Sequence, residues 1–589
     1  MPGKNEPPRR GTLGKVLGYV GRSRALIVWM LLCALVGVAL TLYVPVLVAQ
    51  AIDGIIGAGK VDFRRVAELL ARIGLSVLIT AAAQWAMNVI AHKVAYGTVE
   101  EIRAAAFHRI ERLPLSYLDA HPSGELASRV IADVDQFSDG LLMGFPQLFT
   151  GVATIAGTLI FMLLIDARVT LVVVLITPLS LVVAAFIARR TRDMFRAQAE
   201  ARAEQTAFVE EIISGQKVVR AFAHERAVEA RFDEIAGKLE GASLRATFYS
   251  SITNPATRFV NALVYAGVGM AGALSAMSGG ISVGALSAFL TYANQYTKPF
   301  NEISGVMAEL TNALSCAERV FELIEAPTEA PDAEGALEME DVLGRVALDK
   351  VWFSYRPDRP LIEDLSLEAK PGERVAIVGP TGGGKTTLIN LLMRFYDADR
   401  GAISVDGADV LRIKRASLRA SFGMVLQDTW LRGGTVRENI ALGRPDASDE
   451  EIASAARAAH AHSFIMRLSN GYDTQLTGGE AALSQGQRQL IGIARVMLMN
   501  PSMLILDEAT SSIDTRTERR IQDAFARMME GKTSFIVAHR LSTIEHADLI
   551  LVMENGRVVE QGRHWDLLKR GGSYARLYNS QFDMIRGNA

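Results

Sequence analysis

Charged residues are missing from five long stretches of the chain's N-terminal half, and that pattern predicts its first domain. None stands between Arg24 and Asp53, and further charge-free stretches run from Ile73 to Ala91, Gly140 to Ile165, Val169 up to Arg189, and Phe259 to Thr297. About 20 consecutive apolar residues suffice for a helix to cross a bilayer. Asp166-Ala167-Arg168 separates the third stretch from the fourth as a tight turn, and Ser278-Gly279-Gly280 splits the last into two helices. Six membrane spans result. A water-soluble alternative would need six long buried helices with no polar face.

Two segments between spans, 92–139 and 190–245, are far longer than a connection needs and are rich in Glu, Arg and Ala with helical periodicity. Spans two to five are therefore expected to continue as helices outside the membrane; about 20 extra residues each would reach roughly 30 Å. Their tips fall at Ser116 to Arg129 and Glu210 to Phe222, with turns expected at Pro122-Ser123-Gly124 and Ser214-Gly215. Segment 1–24 carries Lys4, Arg9, Arg10, Lys15, Arg22 and Arg24 against Glu6 alone, whereas the turns at Asp166 and Ser278 are almost free of cations. Cations flank the cytoplasmic side, so the N-terminus and the long extensions are cytoplasmic. The first apolar run is too long for a cleavable signal peptide and lacks a small-residue cleavage pattern.

After Ala326 the character changes. Residues Ala326 to Gly335 (APTEAPDAEG) form a polar, Pro-containing linker, followed by short β-branched runs alternating with helical ones. That alternation predicts a soluble α/β domain. The expected organisation is a cytoplasmic segment 1–24, a six-helix membrane α-helical bundle 25–320, a linker 321–340 and an α/β domain 341–589.

Composition narrows the function classes. The 589 residues carry 62 Lys+Arg against 64 Asp+Glu, a net charge of −2, which argues against a nucleic-acid partner. Half the residues are hydrophobic and mean hydropathy is +0.20, which excludes disorder and fits a membrane protein. Two cysteines, Cys33 and Cys316, cannot build a disulfide framework or a structural zinc site.

The candidate chemistry lies in the second domain. Gly379, Pro380, Thr381, Gly382, Gly383, Gly384, Lys385 and Thr386 fit G-x-x-x-x-G-K-[ST], after an apolar strand at Arg374 to Val378 and before a helix opening at Thr387. Such glycines let backbone N–H groups converge on phosphate oxygens, and the helix N-terminus adds positive potential. Lys385 would reach the β- and γ-phosphates of ATP, and the Thr386 hydroxyl would ligate Mg²⁺. A second apolar strand, Met503 to Leu506, ends in Asp507-Glu508. Asp507 is placed to anchor the metal, and Glu508 to polarise a water attacking the γ-phosphate.

With other motifs these residues carry a resemblance that covers almost the whole chain. It resembles an ATP-binding-cassette (ABC) exporter half-transporter of the multidrug or lipid type. Leu483-Ser484-Gln485-Gly486-Gln487 is similar to the family's signature, and Ala509 to Asp514 to its D-loop. His539 matches the switch histidine, Gln427 the Q-loop glutamine at the metal, and Tyr355 the aromatic residue that stacks on adenine. The resemblance implies a second half-transporter, identical or paralogous, with Ser484 and Gly486 of one chain closing on ATP held by Lys385 of the other. His539 would hold the γ-phosphate and the water in line, and the extension tips would be coupling helices. It also implies ATP-driven export of a small amphiphilic or lipid-like substrate by alternating access, in contact with membrane lipids of the cytoplasmic membrane, with the nucleotide-binding domain inside the cell. A gated channel or regulator of the same architecture would usually show a damaged catalytic glutamate, and Glu508 is intact.

Two departures bear on assembly. The signature reads LSQGQ, with Gln485 where the family usually has glycine, and Thr477-Gly478-Gly479-Glu480 lacks the usual Gly-Glu order. A homodimer with two working sites and an asymmetric heterodimer both fit. For substrate, Asn254, Arg258, Asn261 and Tyr265 share one face of the fifth span, and Asn294, Lys298 and Asn301 one face of the sixth. A basic ring meeting an anionic headgroup is one expectation. Pairing of Arg258 or Lys298 with Glu302, or snorkelling to the interface, is the other. Gln84 and Asn88 share a face of the second span, where helix–helix hydrogen bonding accounts for them equally well.

Overall fold

The structure is a computed structural model that describes residues 10–55, 61–356, 358–426, 429–476, 483–507, 514–538 and 544–587. It divides into two compact units: 1–112 with 121–326, and 113–120 with 327–589.

The first unit is helical. A short α1 (Arg10–Val20) precedes α2 (Arg24–Asp53) and α3 (Phe63–Ile110). Two short helices lead to α6 (Val134–Ile165): α4 (Leu115–Ala120), which groups with the second unit, and α5 (Ser123–Ser128) of the first. Three very long helices follow: α7 (Ala167–Ala221), α8 (Glu225–Met277) and α9 (Val283–Glu325). Among the described residues four helical stretches meet length and hydropathy requirements for a membrane span: Gly11–Asp53, Phe63–Ile110, Ser123–Ile165 and Arg258–Met277. The polar run Asn294 to Glu302 lowers the hydropathy of α9.

Helices pair α2 with α3, α6 with α9 and α7 with α8. Small residues permit the close approach of α6 to α9: a Cβ at Gly140 would lie 2.3 Å from the Ala313 Cβ, and one at Gly144 2.5 Å from Leu310. Without a hydrophobic drive between helices in lipid, such backbone proximity and its dispersion contacts hold a bundle together. Polar bonds fix the ends. Asp53 accepts from Ser282 Oγ at 2.6 Å and the Gly284 N–H at 2.8 Å, tying α2 to the start of α9. Asp166 forms the turn between α6 and α7, accepting from the Arg168 N–H at 2.7 Å and from Ser275 Oγ at 3.1 Å.

One expected turn is displaced. Ser214-Gly215 lies inside α7, which runs on to Ala221, and the chain reverses at 222–224, where Ala223 has φ +51°. An isolated glycine costs a helix only about 1 kcal/mol, and the flanking Glu, Ile, Gln and Lys carry the helix through it.

The second unit holds two sheets. An antiparallel sheet has the order β2-β1-β4-β5, from β1 (Val346–Phe353), β2 (Ile362–Ala369), β4 (Arg400–Val405) and β5 (Ala408–Asp409). A six-stranded sheet has the order β10-β9-β3-β8-β7-β6, from β3 (Arg374–Val378), β6 (Phe422–Val425), β7 (Met503–Asp507), β8 (Thr533–Val537), β9 (Leu549–Glu554) and β10 (Arg557–Gly562). Its five strands β9-β3-β8-β7-β6 are parallel and buried on both faces, hence their continuous apolar sequences. Alternate residues enter opposite cores. Val375, Ile377, Met503 and Ile505 pack with the antiparallel sheet and α10 (Lys385–Leu392). Ala376, Val378, Leu504 and Leu506 pack with the helices Gln485–Met499 and Thr515–Met528. The linker is pinned to this unit: Arg415 donates to Ala330 O at 2.7 Å and Asp332 at 3.0 Å, and Arg419 to Glu329 at 2.7 Å.

Candidate nucleotide site

The parallel strands bring the separate motifs to one edge. Ile377 on β3 and Asp507 on β7 both stand level with Val537 on β8. The phosphate-loop sequence leaves the end of β3 and Asp507 ends β7, so the two lie one strand apart at the carboxyl edge, where open α/β sheets bind ligands. Strands are spaced about 4.8 Å, which puts the two chain paths roughly 10 Å apart.

The loop Gly379–Gly384 is shaped by its glycines. Gly379 has φ +145°, and a Cβ there would meet the Met553 carbonyl oxygen at 2.0 Å. Gly384 precedes α10 with φ +97°. Pro380, Thr381 and Gly382 are exposed, whereas Gly383 and Gly384 are buried. Lys385 is 9 % exposed and donates to Gly379 O at 2.8 Å and Pro380 O at 2.9 Å, so its ammonium closes the loop from inside. Burial lowers its pKa from the ordinary lysine value, and the Asp507 carboxylate opposes that shift. Thr386 is exposed at the head of α10, and Thr387 is buried.

Thr387 reaches the adenine candidate. The Tyr355 hydroxyl donates to Thr387 Oγ1 at 3.2 Å and accepts from Asn390 Nδ2 at 3.2 Å. Tyr355 as a whole is 46% exposed.

The signature residues form a helix start. Ser484 caps the helix Gln485–Met499, accepting from the Gln487 N–H at 3.3 Å, while its own N–H donates to Gln487 Oε1 at 2.9 Å. That reciprocal pair is a capping box. Gln485 is the first helical residue and, unlike the positive-φ residues of the chain, needs no glycine conformation. Gly486 is buried. Asp514 caps the helix Thr515–Met528, accepting from the Arg516 N–H at 3.1 Å and the Thr517 N–H at 3.0 Å, and these bonds, Thr517 first, lower its pKa. Glu508, His539 and Gln427 lie outside the described residues, as does the segment 477–482; each of the three follows closely on β7, β8 or β6 in sequence.

In the first unit Lys298 pairs with Glu302 one turn on, at 3.6 Å. Both line a cavity of about 380 Å³ with Thr41, Gln84, Thr154 and Gln295, and the Gln295 Oε1 is buried there without a partner. Arg258 does not line it, so no basic ring of Arg258 and Lys298 forms within this cavity.

Known proteins decide the family. Residues 27–300 match the model of the ABC transporter transmembrane region, and residues 362–511 that of the ABC transporter. The chain is 44% identical over 518 residues to a fatty acid ABC transporter ATP-binding/permease protein of Mycobacterium bovis, covering 88% of this chain and 82% of that one. The chain belongs to the ABC transporter family. An uncharacterized ABC transporter ATP-binding protein of Bacillus subtilis is 38% identical, covering 98% and 95% of the two chains. A putative multidrug export ATP-binding/permease protein of Staphylococcus aureus is 36% identical, covering 91% and 94%. A solved bacterial Atm1-family ABC exporter with ATP bound superposes with a TM-score of 0.77 at 30% identity, covering 95% of this chain and 98% of that one. This ABC protein is therefore an exporter half-transporter, a multi-pass membrane protein that binds ATP and couples its hydrolysis to transport.

Sequence reading missed two residues of the second unit: Tyr396, whose ring packs on that of Tyr355, and Asp119, which accepts a hydrogen bond from Tyr396. No motif spacing marks them; only the fold brings them together.

Proposed function

We propose that this half-transporter exports amphiphilic or lipid-like molecules from the cytoplasmic side across the cytoplasmic membrane, as a dimer working by alternating access. The observation that carries the dimer is the position of the signature helix. Gln485–Met499 packs on one face of the six-stranded sheet through Leu490, Ile491 and Ile493, and α10 packs on the other through Leu388 and Leu392. Ser484 is thus built on a different face from Lys385, and a second cassette supplies a signature to close the site. The undistorted start at Gln485 favours two identical chains.

In this reading Tyr355 stacks on adenine, and the backbone of Gly379 to Gly384 with Lys385 and Thr387 cradles the phosphates. Ser484, Gln485, Gly486, Gln487 and Asp514 come from the opposite chain. The donor set of Thr386, Asp507 and Gln427, hydroxyl, carboxylate and amide oxygens, suits Mg²⁺, which would neutralise phosphate charge. Glu508 accepts the proton of the attacking water, and His539 holds the γ-phosphate end. The fatty acid and multidrug relatives support an amphiphilic substrate.

The test is transport of a fluorescent fatty acid into inside-out vesicles, with Glu508→Gln as control. Wild type should accumulate the probe in an ATP-dependent way. Glu508→Gln should lose roughly 10²–10⁴-fold in kcat while still binding ATP. Uptake that is equal in both would sink the reading.

A further inference from the structure

Two rings, Phe353 and Tyr396, meet each other and the ring of Tyr355 in the second unit. The Tyr355 ring stands edge-on to Phe353, centroids 4.9 Å apart at 85°, and edge-on to Tyr396, 5.0 Å apart at 88°. Phe353 and Tyr396 close the triangle at 5.5 Å and 66°. Phe353 ends β1, Tyr355 follows it, and Tyr396 lies just beyond α10, so the cluster joins the adenine-facing strand end to the helix that carries the phosphate loop. Edge-to-face pairs of this geometry contribute beyond their buried area, and they fix ring tilt.

Tyr396 has a second attachment. Its hydroxyl donates to Asp119 Oδ2. Asp119 lies in α4, which groups with the second unit although in sequence it stands between the spans α3 and α6. Burial, then the Asp119 carboxylate, raises the Tyr396 hydroxyl above the ordinary phenol value, so it remains a donor at neutral pH.

We propose that Tyr396 is a positioning residue that joins adenine recognition to α4: its ring sets the tilt of Tyr355, and its hydroxyl passes that setting to Asp119. The proposal rests on Tyr355 being the adenine-stacking residue. The Tyr355 hydroxyl is held by Thr387 and Asn390 of α10, so the ring can tilt only by moving against Tyr396 or by breaking those bonds. Coupling between two sites is reciprocal. If a seated adenine biases Asp119 through Tyr396, then altering Asp119, outside the phosphate loop, must change nucleotide affinity through the same path.

The experiment titrates the full-length protein in lipid nanodiscs with trinitrophenyl-ATP, leaving Mg²⁺ out so that nothing turns over. Asp119→Ala and Tyr396→Phe should each weaken binding about threefold, and the double variant no further, because both cut one connection. Asp119→Asn keeps a carbonyl acceptor and should stay near the parent. Additive effects in the double variant would overturn the proposal. So would unchanged affinity in both single variants when Tyr355→Ala weakens binding. If Tyr355→Ala itself binds as well as the parent, the adenine reading falls, and the proposal with it. The cycle keeps its meaning if one variant is less stable, since a purely structural loss has no reason to vanish in the partner's absence.

Discussion

Lys385 donates two hydrogen bonds to the carbonyl oxygens of Gly379 and Pro380 and is almost fully buried. Those bonds brace the loop, and on the proposed reading Lys385→Ala removes a phosphate contact along with the brace. Charge-assisted bonds contribute about 1.5–3 kcal/mol, so ATP affinity should fall at least about tenfold, as read by nucleotide titration. Gly379 is constrained by its neighbour, since any Cβ there strikes the Met553 oxygen. Gly379→Ala should cost about 2–3 kcal/mol through backbone strain and appear as a melting temperature lowered by several degrees. These two positions were readable from the motif alone. Tyr396 and Asp119, far apart in sequence and carrying no spacing signature, were not.

Helices and strands test the packing and the signature. The Gly144 position on α6 faces Leu310 of α9 without room for a side chain. Gly144→Val should destabilise the bundle by about 1–3 kcal/mol, and Leu310→Ala in the same chain should restore part of the loss in a thermal-stability assay. Gln485 begins its helix with an ordinary backbone, so Gln485→Gly should change ATP hydrolysis less than about threefold, as a residue whose backbone N–H, not side chain, faces phosphate would. A large gain on restoring glycine would instead mark a damaged signature and favour the paralogous partner. Sequence periodicity located the long helices, but Ser214-Gly215 misled it: turn-forming residues do not break a helix whose neighbours favour it and whose surroundings continue it.

For the molecule as a transporter, substrate preference is the open variable. Lys298 pairs with Glu302 one turn on within α9, as the pairing expectation has it. Freeing the ammonium reveals whether it reads charge. Glu302→Gln should raise the stimulation of ATP hydrolysis by anionic amphiphiles over cationic ones of similar hydrophobicity, while hydrolysis without amphiphile stays near the parent because the cassette is untouched. Equal stimulation by both would assign Lys298 a structural role.

The sequence by itself determined the helical membrane domain, the change to an α/β domain, the phosphate-loop motif and the strand ending in Asp507. Each is a local pattern: hydropathy over a bilayer's thickness, short apolar strand runs alternating with helical ones, or glycines at fixed spacing before a lysine. Tertiary structure alone decided that Asp507 stands one strand away from the end of β3, and that α4 groups with the second unit and meets Tyr396 through Asp119. Those outcomes depend on which surfaces meet across tens to hundreds of residues, and pairing of that range leaves no periodic trace in the chain.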